Sequence, residues 1–147
     1  MINRTLRSAS ARTLLLLVVW TAAATAEPEV PPGAVGGVAP DVAAKWETFC
    51  TDWMGKLAAR ERDNLANIKW EKREAGVVGA YTGYSQDHTC SVKAGTGDVP
   101  IGKIIYVETR YEKSGTTPTE AKASTPTPIE QVEVTEIFRY TKGKWEF

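Results

Sequence analysis

The apolar residues of this chain change their spacing near Gly76, and that change restricts the fold more than any other feature of the sequence. Between Asp41, which can cap a helix, and Arg73 they recur every three or four positions, which is typical of one face of an amphipathic helix. The helical stripe consists of Trp46, Phe49, Cys50, Trp53, Met54, Leu57, Leu65 and Ile68. Because such a helix would be roughly 50 Å long, we expect a bend or break along it, with Gly55 as one candidate.

Beyond Gly76 the apolar spacing becomes two, which predicts β-strands. From Val78 to Val92 the even positions are more apolar than the odd ones, so we expect them to face the core. Glycines at 76, 79 and 83 can introduce bulges that shift this parity. The stretch "IGKIIYVETRYEK" predicts a second strand, and the Pro/Thr-rich residues 114–128 predict a mobile loop.

The last fifteen residues, "EVTEIFRYTKGKWEF", predict a β-hairpin. A two-residue turn at Lys142-Gly143 would pair Tyr140 with Trp145 and place Phe138 opposite Phe147, so that four aromatic rings share one face. The other face would then carry Arg139 opposite Glu146 and Thr141 opposite Lys144. Both faces are consistent with a half-buried hairpin.

Together these elements predict an α+β fold, in which one long N-terminal helix packs against a curled antiparallel sheet of about four strands. The element order, the domain size and the closing "VTEIFRYTKGKWEF" resemble the nuclear transport factor two-like (SnoaL-like) superfamily of cone-shaped domains. The smaller cystatin-like arrangement is the alternative, since a second and third helix are not evident. The resemblance implies a scaffold used by enzymes, binders and assembly modules alike. Protease inhibition is not expected, because "EQVEVTE" has no glycine where inhibitory cystatins have Gln-x-Val-x-Gly.

The first 26 residues have the three regions of a secretory signal peptide. Three arginines precede an apolar run that is too short to span a membrane, and Ala24-Thr25-Ala26 supplies small residues for cleavage before Glu27. We therefore expect a secreted or periplasmic protein cleaved between Ala26 and Glu27. Residues 27–40 are predicted to form a flexible Pro/Gly leader, and residues 41–147 a single α+β domain.

The charge of the mature chain restricts its partners. Loss of the three arginines leaves fifteen basic residues against eighteen acidic ones, a formal charge of −3, which does not favour nucleic acid. The sequence has no phosphate loop or dinucleotide fingerprint, so we expect no cofactor. With a single histidine, a zinc site would depend on carboxylates, and we expect no metal. The expected partner is a small ligand or another protein, without stable membrane insertion, and a homodimer remains open.

The two cysteines are expected to form a disulfide, which is the usual state of a cysteine pair in an exported protein. Cys50 lies on the helical stripe and Cys90 on the even face of the first strand. A bridge would close a loop of about forty residues and contribute about 4 kcal/mol in the chain-entropy model. The alternative is a reactive Cys90 thiol beside His88, on the same strand face.

Polar residues on the two apolar faces are the candidate site. Glu61 and Asn64 interrupt the helical stripe, and we expect them to converge with Tyr84, Gln86 and His88 in a pocket. Two interpretations compete with this pocket. The end of the helix that carries Glu61 and Asn64 is solvent-exposed in one, and His88 is an ordinary strand histidine in the other. Ser85 and Asp87 point away from His88, so they do not form a catalytic triad with it. The leading hypothesis is a non-catalytic module that binds a small apolar ligand or a protein partner in the concavity of the sheet. The alternative is an isomerase or lyase with Glu61 or His88 as general base.

Overall fold

A computed structural model describes residues 35–147. The predicted signal peptide, residues 1–26, and the first residues of the predicted leader, 27–34, lie outside the described residues. The described part is an α+β domain, in which one long helix packs against a curled antiparallel sheet. This confirms the predicted fold class. The sheet has five strands rather than about four.

The strands follow one another in the sheet in chain order, β1-β2-β3-β4-β5, and each pair of neighbours is antiparallel. Their bounds are β1 Trp70–Arg73, β2 Gly76–Ala94, β3 Pro100–Gly115, β4 Thr127–Thr141 and β5 Lys144–Glu146. Every connection is therefore local, and the three longest strands form the centre of the sheet.

The long helix α1 spans Pro40–Ala66 and starts with a proline in its first turn, where the missing N–H has no intrahelical partner to lose. The helix runs through Gly55, so the expected break there was wrong. The predicted extension to residue 73 was also wrong. Ile68 and Trp70 lie beyond the end of α1 and pack over Gly79 of β2. A Cβ added at Gly79 would lie 2.9 Å from Trp70 Cε3.

The segment predicted as a mobile loop contains a second helix, α2, at Pro118–Ala123. Thr117 and Glu120 form a reciprocal capping box at its start: the Thr117 hydroxyl accepts from Glu120 N–H at 3.2 Å, and Glu120 accepts from Thr117 N–H at 3.2 Å. Ala121 is fully buried, and Lys113 Nζ donates to Lys122 O at 2.7 Å. Local capping and one buried side chain thus fix this segment against β3.

The terminal hairpin has the predicted register. Tyr140 pairs with Trp145, Arg139 with Glu146 and Thr141 with Lys144. Phe138 and Phe147 lie with ring centroids 4.5 Å apart, as expected for the shared aromatic face. Lys142 and Gly143 both have positive φ, 49° and 83°, which is the geometry of a type I′ turn.

The core lies where α1 crosses the C-terminal end of β2, the start of β3 and the end of β4. Trp46 is 1% exposed and its ring lies 4.7 Å from that of Trp145 and 5.9 Å from that of Phe138. The end of the predicted leader adds to this packing. Val38 is buried, and Gly36 O accepts a hydrogen bond from Ala94 N–H at 2.8 Å.

The face of β2 that meets the core changes along the strand. In its first part the odd positions Val77, Gly79 and Gly83 are buried, whereas after the irregularity between Tyr84 and His88 the even positions Cys90 and Val92 pack against the core. Of the predicted even core face, Tyr84, Cys90 and Val92 therefore pack against the core, whereas Gln86 and His88 are exposed. The glycines that were expected to alter parity lie in the first part.

Candidate functional site

The disulfide between Cys50 and Cys90 is present and joins α1 to β2, with the two Cα atoms 6.5 Å apart. His88 lies beside it: one ligand atom from each of these three residues falls within 4.8 Å of the others. Both sulfurs are committed to the disulfide, and metal binding by cysteine requires a thiolate. In the oxidised protein this cluster is therefore a structural bridge with an adjacent imidazole.

Glu61 and Asn64 meet the strand backbone. Glu61 Oε2 accepts from Tyr84 N–H at 3.0 Å, and Asn64 Nδ2 donates to Thr82 O at 2.9 Å. The two side chains hydrogen-bond to backbone groups of β2 with which a neighbouring strand would otherwise pair. They interrupt the apolar stripe because they fasten the C-terminal half of α1 to β2.

The three strand residues predicted for the same pocket lie in different surroundings. Tyr84 is half-buried and its ring lies 6.0 Å from that of Tyr106, edge to face. Gln86 and His88 are exposed, and His88 Nδ1 lies 2.7 Å from Gln86 O. Ligand binding by the five predicted residues stays a prediction, as does catalysis with Glu61 or His88 as general base.

The irregularity in β2 explains the exposure of Gln86. Residues 85–87 lie opposite Val107 alone, since Tyr84 pairs with Glu108 and His88 with Tyr106. Ser85 Oγ accepts from Val107 N–H at 2.9 Å and donates to Asp87 O at 2.6 Å. The Ser85 hydroxyl thus supplies a hydrogen-bond partner to two backbone groups at the bulge, Val107 N–H and Asp87 O.

A pair formed by a half-buried acid and a buried phenol on the inner face of the sheet was not predicted from the sequence. Tyr106, which is 4% exposed, donates to Glu136 Oε1 at 2.7 Å. Burial, together with this hydrogen bond, raises the pKa of the Tyr106 phenol well above its ordinary value. A signal was present, because Glu136 alternates with Phe138 and Tyr140 on the predicted aromatic face.

A groove between α1 and the terminal hairpin is the most aromatic concave surface among those found in residues 35–147. It has a volume of about 420 Å³. We call it the helix-hairpin groove, and its lining residues are Ala44, Lys45, Thr48, Phe49, Asp52, Tyr140, Gly143, Lys144 and Trp145. Three of them are aromatic, and charged side chains stand around them.

Lys45 and Tyr140 link the two sides of this groove. Lys45 Nζ donates to Tyr140 OH at 2.8 Å and lies 5.5 Å from the centroid of that ring. The hydrogen bond to Tyr140 raises the pKa of the Lys45 ammonium, which therefore stays charged at neutral pH. Phe49 stacks between Trp46 and Trp53 on the helix side, at 5.7 and 5.9 Å. The groove offers apolar ring faces beside one fixed cation.

A second groove, of about 600 Å³, lies between the β1-β2 hairpin and the start of α2. Its wall contains one aromatic residue, Trp70, with Lys72 and Lys122 beside it. Trp70 therefore contributes its ring to the wall of a surface groove. With a single ring, this groove offers fewer aromatic faces than the helix-hairpin groove.

Among residues 35–147, no helix combines the length and the apolarity needed to cross a membrane. Comparison of the chain with protein-family models, with curated proteins and with solved structures finds no match.

Proposed function

We propose that this chain is an exported, disulfide-linked binding module without catalytic activity, which holds a flat apolar ligand in the helix-hairpin groove. The observation that carries the proposal is the convergence of Phe49, Tyr140 and Trp145 on one groove of about 420 Å³. Small-molecule sites are usually concave, mainly apolar and furnished with a few oriented polar groups. Lys45 supplies such a group, so a ligand with an anionic or acceptor substituent fits best.

An aromatic side chain of a protein partner is the second kind of occupant that this groove would accept, because it offers the same ring faces. The long helix, the curled sheet and the aromatic hairpin also support membership of the nuclear transport factor two-like or cystatin-like domains as the proposed fold family. In such a domain, the groove lies at the margin of the concavity, where the helix meets the last two strands.

Export is the second part of the proposal. The three-part leader at residues 1–26 and the Cys50–Cys90 disulfide both agree with an oxidising compartment outside the cytoplasm. N-terminal sequencing of the exported protein should begin at Glu27. Recovery of a mature protein that keeps the apolar run from Leu14 to Trp20 would contradict the proposed cleavage.

The groove is tested with 1-anilinonaphthalene-8-sulfonate, an aromatic anion whose fluorescence rises in apolar surroundings. Binding should shift the indole N–H resonance of Trp145 and leave that of Trp70 in place. Thr48→Phe should weaken the binding about ten-fold, because Thr48 is an exposed lining residue and a larger side chain fills the groove.

Thr51→Phe is the matched control for this experiment. Thr51 is also an exposed threonine on α1 with a hydroxyl bonded one turn back, to Glu47 O at 3.0 Å, but it does not line the groove. It should leave the dye affinity within about two-fold. Equal weakening by both substitutions, or a dye that shifts Trp70 in place of Trp145, would refute the groove as the binding site.

A further inference from the structure

The two long edges of the sheet are protected to different degrees. On the β2 side, β1 pairs with Gly76–Gly79, and Asn64, Glu61 and Gly36 hydrogen-bond to the strand backbone farther along. On the β4 side, β5 pairs only with Arg139–Thr141. Within residues 35–147, neither a strand nor a side chain hydrogen-bonds to the outward backbone of β4 between Thr127 and Phe138.

This open part of β4, residues 127–138, is called the β4 edge. Natural edges are usually blunted by short length, lysine or proline. The other terminal strand, β1, follows that rule, with four residues that include Glu71, Lys72 and Arg73. The β4 edge is three times as long, and its apolar side chains Ile129, Val132 and Ile137 are 47%, 52% and 56% exposed. An unpaired edge of this length with apolar side chains is a template for another strand.

The charge of the β4 edge is of one sign. It carries Glu130, Glu133 and Glu136 and contains neither lysine nor arginine. Arg110 lies opposite Glu130 on β3, but Glu133 lies opposite Val107 and Glu136 opposite Ile104. The ion pairs present among residues 35–147 are Arg73–Glu71 and Lys144–Glu146, so none engages the β4 edge.

These carboxylates disfavour a second copy of the chain as the occupant. In a two-fold antiparallel pair centred on Glu133, that residue would face its own copy and Glu130 would face Glu136. Any other register likewise pairs two edges that each carry three carboxylates and neither lysine nor arginine. Like charges directly opposite each other destabilise a strand pair, whereas lysine or arginine on the added strand would be stabilising there.

From this asymmetry we propose that the β4 edge binds an extended basic segment of a partner protein by strand addition. The partner backbone continues the sheet beside residues 127–138. Because successive side chains of a strand point to opposite faces, its β-branched side chains pack beside Val132 on one face and its lysine or arginine side chains lie beside Glu133 on the other. This surface is separate from the helix-hairpin groove, so either proposal can fail without the other.

The probe is a fluorescently labelled ten-residue peptide in which lysine alternates with valine and threonine, added to the mature chain from Glu27. We expect saturable binding that weakens as salt is raised, with slower amide hydrogen exchange confined to residues 127–138. Glu133→Lys should weaken binding about five-fold, because it replaces an attraction by a repulsion. Glu47→Lys, an equally exposed change of charge on α1, should leave affinity within about two-fold.

Two control peptides separate strand addition from simple charge attraction. Replacing lysine by glutamate should abolish binding, and methylating the backbone nitrogens that face β4 should abolish it while the charge is kept. Retained binding of the methylated peptide, or protection outside residues 127–138, would overturn the proposal. The proposal would also be overturned if the β4 amides that face away from β3 were already protected without peptide, either by a dimer detected by sedimentation or by residues 27–34.

Discussion

Gly102 lies where the Trp46 ring crosses β3, and a Cβ at this position would overlap that ring. Trp46 is held by Phe138 and Trp145 and cannot shift away. Gly102→Ala should therefore lower the free energy of unfolding by about 1–3 kcal/mol through overpacking. The measurement is urea unfolding followed by tryptophan fluorescence.

Gly55→Ala is the matched control, with an expected effect of the opposite sign. An added Cβ at Gly55 meets nothing within 4 Å, and the residue lies inside α1. The substitution should raise the free energy of unfolding by about 0.5–1 kcal/mol, because alanine loses less backbone entropy in a helix. Destabilisation by both substitutions would mean that the effect comes from altered glycine conformation and that the contact with Trp46 is not responsible.

Tyr106 should make the protein sensitive to alkaline pH. Its pKa is raised in the folded state, so its contribution to stability is complete below the unfolded pKa of about 10 and is lost as pH rises toward the folded value. We expect the free energy of unfolding to fall above about pH 10 by up to about 1.4 kcal/mol per pH unit. Tyr106→Phe should flatten this slope.

Tyr81→Phe is the comparison for the alkaline slope. Burial also raises the pKa of Tyr81, with a further contribution from Glu61, but this phenol is more exposed than that of Tyr106. Its removal should flatten the slope less. If Tyr106→Phe left the alkaline slope unchanged, the titration of this phenol would not be the cause of the lower stability at high pH.

At the scale of single elements, the turn of the terminal hairpin has a correctable defect. Lys142 adopts φ 49°, a conformation that asparagine tolerates better than lysine. Lys142→Asn should raise the free energy of unfolding by roughly 0.5–1 kcal/mol, whereas the β-branched residue in Lys142→Val should lower it. Thermal unfolding of the two variants checks this, and equal midpoints would show that the turn residue does not limit the hairpin.

The elements that could be predicted from the sequence are those set by local interactions. The hairpin followed from a two-residue turn and alternating aromatic residues, and each predicted pair from Arg139 to Glu146 is present. The end of α1 was misplaced by seven residues, because Ile68 continues the helical spacing but packs, with Trp70, against Gly79 of β2. That contact depends on a strand which follows later in the chain, so periodicity alone does not reveal it.

The candidate site was less predictable, because it too depends on contacts between elements that are distant in the sequence. The polar interruptions at Glu61 and Asn64 were identified from the helical stripe, but their hydrogen bonds to Tyr84 and Thr82 depend on which edge of β2 lies beneath α1. The helix-hairpin groove joins Lys45 to Tyr140 across 95 residues of sequence. The alternation of apolar and polar residues predicted the sheet face on which each hairpin residue lies. It did not predict which residues of the helix that face contacts.

At the scale of the whole molecule, the strands pair in chain order, and α1 packs against them as a separate layer. The helix is held on the sheet by the core around Trp46, the hydrogen bonds of Glu61 and Asn64, and the disulfide. Of these, the disulfide is the one covalent cross-link within residues 35–147, and the chain itself joins α1 to β1 through residues 67–69. Its loss should loosen the attachment of α1 before the strand pairing.

Removal of the disulfide should therefore lower the stability of the entire domain. The bridge spans a sequence separation of 40, for which chain entropy gives about 4 kcal/mol. The double variant Cys50→Ala with Cys90→Ala should lose about this much free energy of unfolding in urea, and also a smaller amount from the sulfur atoms missing in the core. Reduced wild-type protein keeps both sulfurs, so it should lie between the oxidised protein and the double variant. A reduced protein as stable as the oxidised one would show that core packing alone holds α1 on the sheet.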